Sequence, residues 1–138
     1  MNKSFQLEMF QKAFQNVITF RESVLSSGGK KLVGKSALIQ VELEEDAEGN
    51  LQRATMLFAF FLKDAESNRK ITAHVFRFLD LCLPLTVMPP QWMEAATKKL
   101  KNTDEEDYET EQDGLRIALV QMKPELMFIL SAERKPGP

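Results

Sequence analysis

The stretch ALIQVELEEDAEGNLQRATMLFAFFLK, residues 37–63, constrains the fold more than any other. In its first half Ile39, Val41 and Leu43 alternate with Gln40, Glu42 and Glu44. That period of two puts apolar side chains on one face of a strand and polar ones on the other. DAEGN at 46–50 is rich in residues that accept turn dihedrals, and a second strand pattern follows it from Leu51. Two strands joined by so short a turn predict antiparallel pairing. The second strand differs from the first. Ala54, Met56, Phe58, Phe60 and Leu62 share one face, yet Leu57, Ala59 and Phe61 make the other face apolar as well. A strand apolar on both sides is either central in its sheet and covered twice, or has one face that meets a partner.

The rest of the chain builds around this hairpin. Residues 4–25 carry Phe10, Phe14, Val17, Ile18, Val24 and Leu25 at helical spacing, with Ser4 as a candidate N-cap and SSGG at 26–29 as a stop, which predicts a long amphipathic helix. RKITAHVFRFLDLCL, 69–83, reads as a third long strand, with Ile71, Ala73, Val75, Leu79, Leu81 and Leu83 on one face and Thr72, His74, Phe76, Phe78 and Asp80 on the other. The prolines of PLTVMPP, 84–90, end it. QWMEAATKKLKN predicts a short helix, TDEEDYETEQDG at 103–114 an acidic loop, and LRIALVQM (115–122) and LMFILSA (126–132) two final strands before a frayed tail at 133–138. The expectation is a single α+β domain over residues 1–138. Its long N-terminal helix packs on an antiparallel sheet of about five strands, with one short helix before the last two.

Composition narrows the function classes. At 138 residues the chain can bury a core without staples, and 18 basic against 20 acidic residues leave no strong field to attract nucleic acid or an anionic membrane. The single Cys82, in LDLCLPL, reads as an apolar filler and excludes an intramolecular disulfide. No apolar run approaches the ~20 residues of a bilayer-spanning helix, and the N-terminus lacks the apolar core of a secretory signal. A cytoplasmic protein is expected.

GGKKLVGKS at 28–36 contains a full match to the phosphate-loop pattern: Gly29, Gly34, Lys35 and Ser36. That loop works between a strand and a helix whose first amides face the phosphate, whereas here the pattern follows a predicted helix and precedes a strand. A basic connector is the simpler reading. His74, the only histidine, cannot assemble a tetrahedral zinc site with one cysteine, and along a strand it lies roughly 26 Å from Cys82, too far for a catalytic pair. The acids of 104–113 lack the glycine and terminal glutamate of a calcium loop. Phe58, Phe60, Phe76 and Phe78 could stack on bases, but the basic residues among them are sparse, so nucleic acid is not expected.

Ten Phe and seven Met exceed what one helix over one sheet face requires. Such side chains adapt to partner surfaces. The expected function is therefore a non-enzymatic protein–protein interaction or assembly module with no cofactor and no metal. It would dock onto a protein partner or itself, as a homo-oligomer, through an apolar sheet face or edge. Phe58, Phe60, Phe76, Phe78, Met88, Trp92 and Met93 are the candidate contacts. The alternatives are a small-ligand carrier with an apolar pocket between helix and sheet and, more weakly, a nucleotide-binding or other enzyme, for which Asp80, His74 or Lys35 would converge in a cavity. The expected element order resembles that of the small acidic chaperones of bacterial secretion systems, which implies binding of unfolded segments by a dimer.

Overall fold

The structure, a computed structural model, describes residues 4–60, 63–102, 106–122 and 127–135. In chain order its elements are α1 (Leu7–Phe14), β1 (Arg21–Val24), β2 (Lys30–Lys35), β3 (Ile39–Glu45), β4 (Leu51–Ala59), α2 (Ala65–Cys82), α3 (Pro89–Asn102), β5 (Asp107–Gln112), β6 (Leu115–Met122) and β7 (Met127–Arg134). The strands form one seven-stranded sheet in the order β1-β2-β3-β4-β7-β6-β5, and every neighbouring pair is antiparallel.

The hairpin at 39–59 forms with Ile39 opposite Phe58 and Val41 opposite Met56. Its turn is held by Asp46, whose Oδ1 accepts from the amides of Glu48 (3.0 Å) and Asn50 (2.8 Å). β4 is the central strand of the sheet. The meander β2-β3-β4 meets the meander β7-β6-β5 along a β4–β7 seam, where Met56 faces Leu130. In β5–β6 the two-residue turn at Asp113 and Gly114 has both residues at positive φ, the conformation that matches the twist of a tight hairpin.

The core lies on one face of this sheet, beneath the helices. β3 and β4 turn Val41, Leu43, Met56 and Phe58 towards it, and β6 and β7 add Ile117, Leu119 and Leu130. From the helix side come Phe10 and Phe14 of α1, Ile71, Val75, Phe78 and Leu79 of α2, and Trp92, Ala96 and Leu100 of α3. Phe10 meets Phe78 edge-on at 5.3 Å. Trp92 packs edge-on against Tyr108 at 5.2 Å and donates its Nε1–H to Thr110 Oγ1 at 2.9 Å, which ties α3 to the edge strand β5. No helix among the described residues is long and apolar enough to cross a membrane.

Several expected elements differ. The segment 69–83 is helical, not a strand: α2 begins at Asp64, whose carboxylate accepts from the Ser67 amide (3.0 Å) and hydroxyl (2.8 Å), and it buries Ile71, Val75, Phe78, Leu79 and Cys82 at helical spacing. The helix expected over 4–25 stops at Phe14; after a turn at 14–18 the chain becomes β1, and the glycine-containing stretch 28–36 becomes β2. Arg77 of α2 donates to the Ala13 carbonyl at 3.1 Å, serving the end of α1. The acidic segment contributes β5, and Glu133 and Arg134 belong to β7, not to a frayed tail. Residues 103–105 and 136–138 of the expected loop and tail, and Phe61 and Leu62 of the expected second strand, lie outside the described residues. The architecture is therefore α+β with three helices and seven strands among the described residues, where one long helix, one short helix and about five strands are expected from the pattern. The element order on which the resemblance to secretion chaperones rests is not the one observed.

Candidate functional site on the uncovered face of the sheet

Since side chains alternate along each strand, the face opposite the helices is set by register alone. It carries three rows running across the sheet. The first is Lys31, Glu44, Arg53, Glu133, Arg116 and Glu111 on β2, β3, β4, β7, β6 and β5. The second is Val33, Glu42, Thr55, Ser131, Ala118 and Glu109, and the third is Lys35, Gln40, Leu57, Ile129, Val120 and Asp107. Beyond the third row Ala59 faces Met127 and Met127 faces Met122.

This face is polarised along the strand direction. At one end the charges of the first row bridge neighbouring strands: Arg53 to Glu133 at 3.0 Å, Lys31 to Glu44 at 3.9 Å, Arg116 diagonally to Glu109 at 2.7 Å, and Lys135 to Glu111. The hydrogen bond that Arg53 donates to Glu133 holds its guanidinium above its already high range, with the Coulomb field of Glu133 and Glu44 adding to it. Towards the other end, Leu57, Ile129 and Val120 adjoin Ala59, Met127 and Met122 on the neighbouring strands β4, β7 and β6. All are half-buried except Met122, which is 44% exposed. No described helix covers them. A surface cleft of 610 Å³ next to this patch is lined by Thr19, Arg21, Val33, Gly34, Lys35 and Gln40.

The contact residues expected from the sequence sit elsewhere. Phe58 and Phe78 are 3% and 0% exposed and Trp92 is 3% exposed, so these three are core residues, a correction to their expected surface role. Phe58 stacks on Phe128 at 5.4 Å, with Phe60 edge-on to both. Phe60, Phe76 and Met93 are partly buried against the core, and only Met88, before α3, is well exposed. Phe58 and Phe78 share no strand face, because Phe78 lies on a helix. Leu57, Ile129 and Val120 are not among the contacts expected from the sequence, although Leu57 stands there on the second apolar side of its strand. Their signal was the apolar character of Leu57 and Ala59 on the second side of β4.

The phosphate-loop match has a different structural basis. Gly34 is where the chain at 18–20 crosses β2: a Cβ there would lie 3.0 Å from the Thr19 carbonyl oxygen and 3.1 Å from the Phe20 ring. At Gly29 it would lie 2.2 Å from the Glu45 carbonyl oxygen. Ser36 Oγ accepts from the amides of Leu38 and Ile39 at 3.2 and 3.3 Å, which forms a turn into β3. No helix starts at Lys35.

His74 and Asp80 lie on α2, on the helix side of the sheet, whereas Lys35 lines the cleft on the other side, so the three do not converge. Burial, and secondarily Arg77, lowers the His74 imidazole below its ordinary value of 6.5, and its Nδ1 is buried without a hydrogen-bond partner. Burial pushes the Cys82 thiol well up, the direction opposite to that of a nucleophile. Among the described residues no group of acids, His and Cys could hold a metal ion. Comparison with protein-family models, curated proteins and solved structures returns no match.

Proposed function

We propose that this chain is a non-enzymatic protein–protein interaction module that docks through the uncovered face of its sheet. The observation that carries the reading is the continuous apolar patch Leu57, Ile129, Val120, Met127 and Met122 on β4, β7 and β6, on the side opposite the described helices. Outward positions of a one-sided sheet are ordinarily polar, as Glu42, Glu44 and Gln40 are on β3. An apolar group on β4, β7 and β6, flanked along these strands by Thr55 and Ser131 and across the sheet by Gln40 and Asp107, is the kind of surface that forms the dry part of an interface. The contacts move from the phenylalanines and Trp92 to this patch; the kind of function expected from the sequence is retained.

The test compares the native chain with Leu57→Asp in extracts of cells that make the protein, separated by size under native conditions. The native chain is expected in a species larger than its 15.8 kDa mass and the variant at the chain mass, with unchanged helix and sheet signals. Elution of both at the mass of one chain would contradict the reading.

A further inference from the structure

We propose, resting on that reading, that the occupant of the uncovered face is a second copy of this chain, packed face to face about a two-fold axis that runs parallel to the strands between β4 and β7. An interface of this kind brings one patch against itself, so each position must suit the position that the axis places opposite. About this axis β4 lies over β7 of the second copy, β3 over its β6 and β2 over its β5. The short edge strand β1 falls outside the overlap.

The charge pattern has the required symmetry. Across the first row the signs run plus, minus, plus on Lys31, Glu44 and Arg53, then minus, plus, minus on Glu133, Arg116 and Glu111. The row is antisymmetric about the β4–β7 seam. The axis therefore sets Arg53 against Glu133 of the second copy, Glu44 against Arg116, and Lys31 against Glu111. In the third row it sets Lys35 against Asp107, Leu57 against Ile129 and Gln40 against Val120. Lys35 makes no ion pair among the described residues, so Asp107 of the second copy would supply its counter-charge. In the second row Thr55 meets Ser131, while Glu42 and Glu109 face Ala118 and Val33. No like charges meet. A row symmetric about the seam would have set like against like and excluded this dimer.

The size agrees as well. Six strands of about seven residues span a plane of roughly 650 Å². That is of the order of the ~800 Å² per partner in a standard stable interface. Two like-handed twisted sheets pack with their strands within about 30° of each other, so the pairs beside the seam keep their opposition best. The decisive residues are therefore Arg53 and Glu133, each about half exposed and outside the core, so that their exchange leaves folding intact.

The test is sedimentation equilibrium of the full chain from about 1 μM to 1 mM, the range over which a dimer of ordinary affinity forms. It takes the native protein, Arg53→Glu, Glu133→Arg and an equimolar mixture of the two variants, with far-ultraviolet circular dichroism as the check on folding. The native chain is expected to approach twice its mass. Each variant alone should dissociate with a constant raised by about tenfold or more, since like charges then oppose one another on both sides of the axis. The mixture should regain the native constant, because the introduced charges then face each other with opposite sign and the untouched pair does likewise. Both variants break the Arg53–Glu133 pair within their own sheet, so a role confined to that sheet would not be rescued by mixing. A native chain that stays at one mass throughout, variants that dimerise as the native chain does, or a mixture no better than its components would overturn the proposal. If the native chain is monomeric here yet enters a larger species in extracts that Leu57→Asp abolishes, the second copy is wrong while docking through this face stands.

Discussion

His74 and Cys82 are two side chains whose chemistry the fold suppresses. With its Nδ1 buried and unpartnered and Phe14 at 6.3 Å, the His74 ring is held neutral, its folded value lying below 6.5 by burial and then by Arg77. The unfolded chain therefore binds the proton first as pH falls, so this contribution to stability is complete above 6.5 and is lost as pH drops through the depressed folded value. Thermal unfolding followed between pH 7 and 5 should show this fall, and His74→Phe should flatten it. Cys82, fully buried with its thiol pushed up, should react with a disulfide-exchange reagent only at the rate of unfolding; rapid labelling of the native chain would show that α2 opens locally. The inert character of Cys82 was legible from its apolar neighbours. The positions of Phe58, Phe78 and Trp92 were not, because residue type says that a ring will be covered and only the packing says by what.

Among the elements, α2 shows where a sequence pattern divides. Ile71, Val75 and Leu79 fit a period of two as well as one of four, and the branched residues favour a strand, while Phe78 and Cys82 complete a helical stripe. The capping chemistry decides the matter: DAES places an acid three residues before a serine whose amide it accepts, a helix start that also has the composition of a turn. Asp64→Ala should lower the melting temperature at neutral pH. Asp64 lies below its ordinary value of 3.8 through the Ser67 bonds, so its contribution is present above that value and lost as pH falls through the folded one; native and variant chains should converge in acid. The edge strands were unreadable for another reason. All four residues of β1 are exposed, and β5 turns Tyr108, Thr110 and Gln112 inward, so neither shows an apolar alternation. Thr110 holds its place through the Trp92 indole. A cycle of Trp92→Phe and Thr110→Val, read by denaturant unfolding, should give a coupling of about 1 kcal/mol, the worth of one hydrogen bond.

At the scale of the whole molecule, two three-stranded meanders share a seam, and the described helices lie on one face of the sheet they form. The hairpin at 39–59 and the last two strands were readable because each alternates and ends at a turn. What lies on the outer face was only half readable: the second apolar side of β4 pointed to a partner, yet Leu57, Ile129 and Val120 come together only through a register that no local pattern specifies. The charge row has the same origin. Its residues come from strands as distant in sequence as Lys31 and Glu133, and pairing alone sets their order. On the proposed reading, this half-buried apolar patch and the ordered row of charges beside it are what a partner covers. Position-by-position photocrosslinking in the cells that make the protein tests this most directly, with a photoreactive residue placed in turn at Leu57, Val120 and Ile129 on the sheet and at Gln91 and Ala95 on the exposed side of α3. Protein adducts from the sheet positions and none from α3 are the predicted result; adducts from α3 with none from the sheet would contradict it.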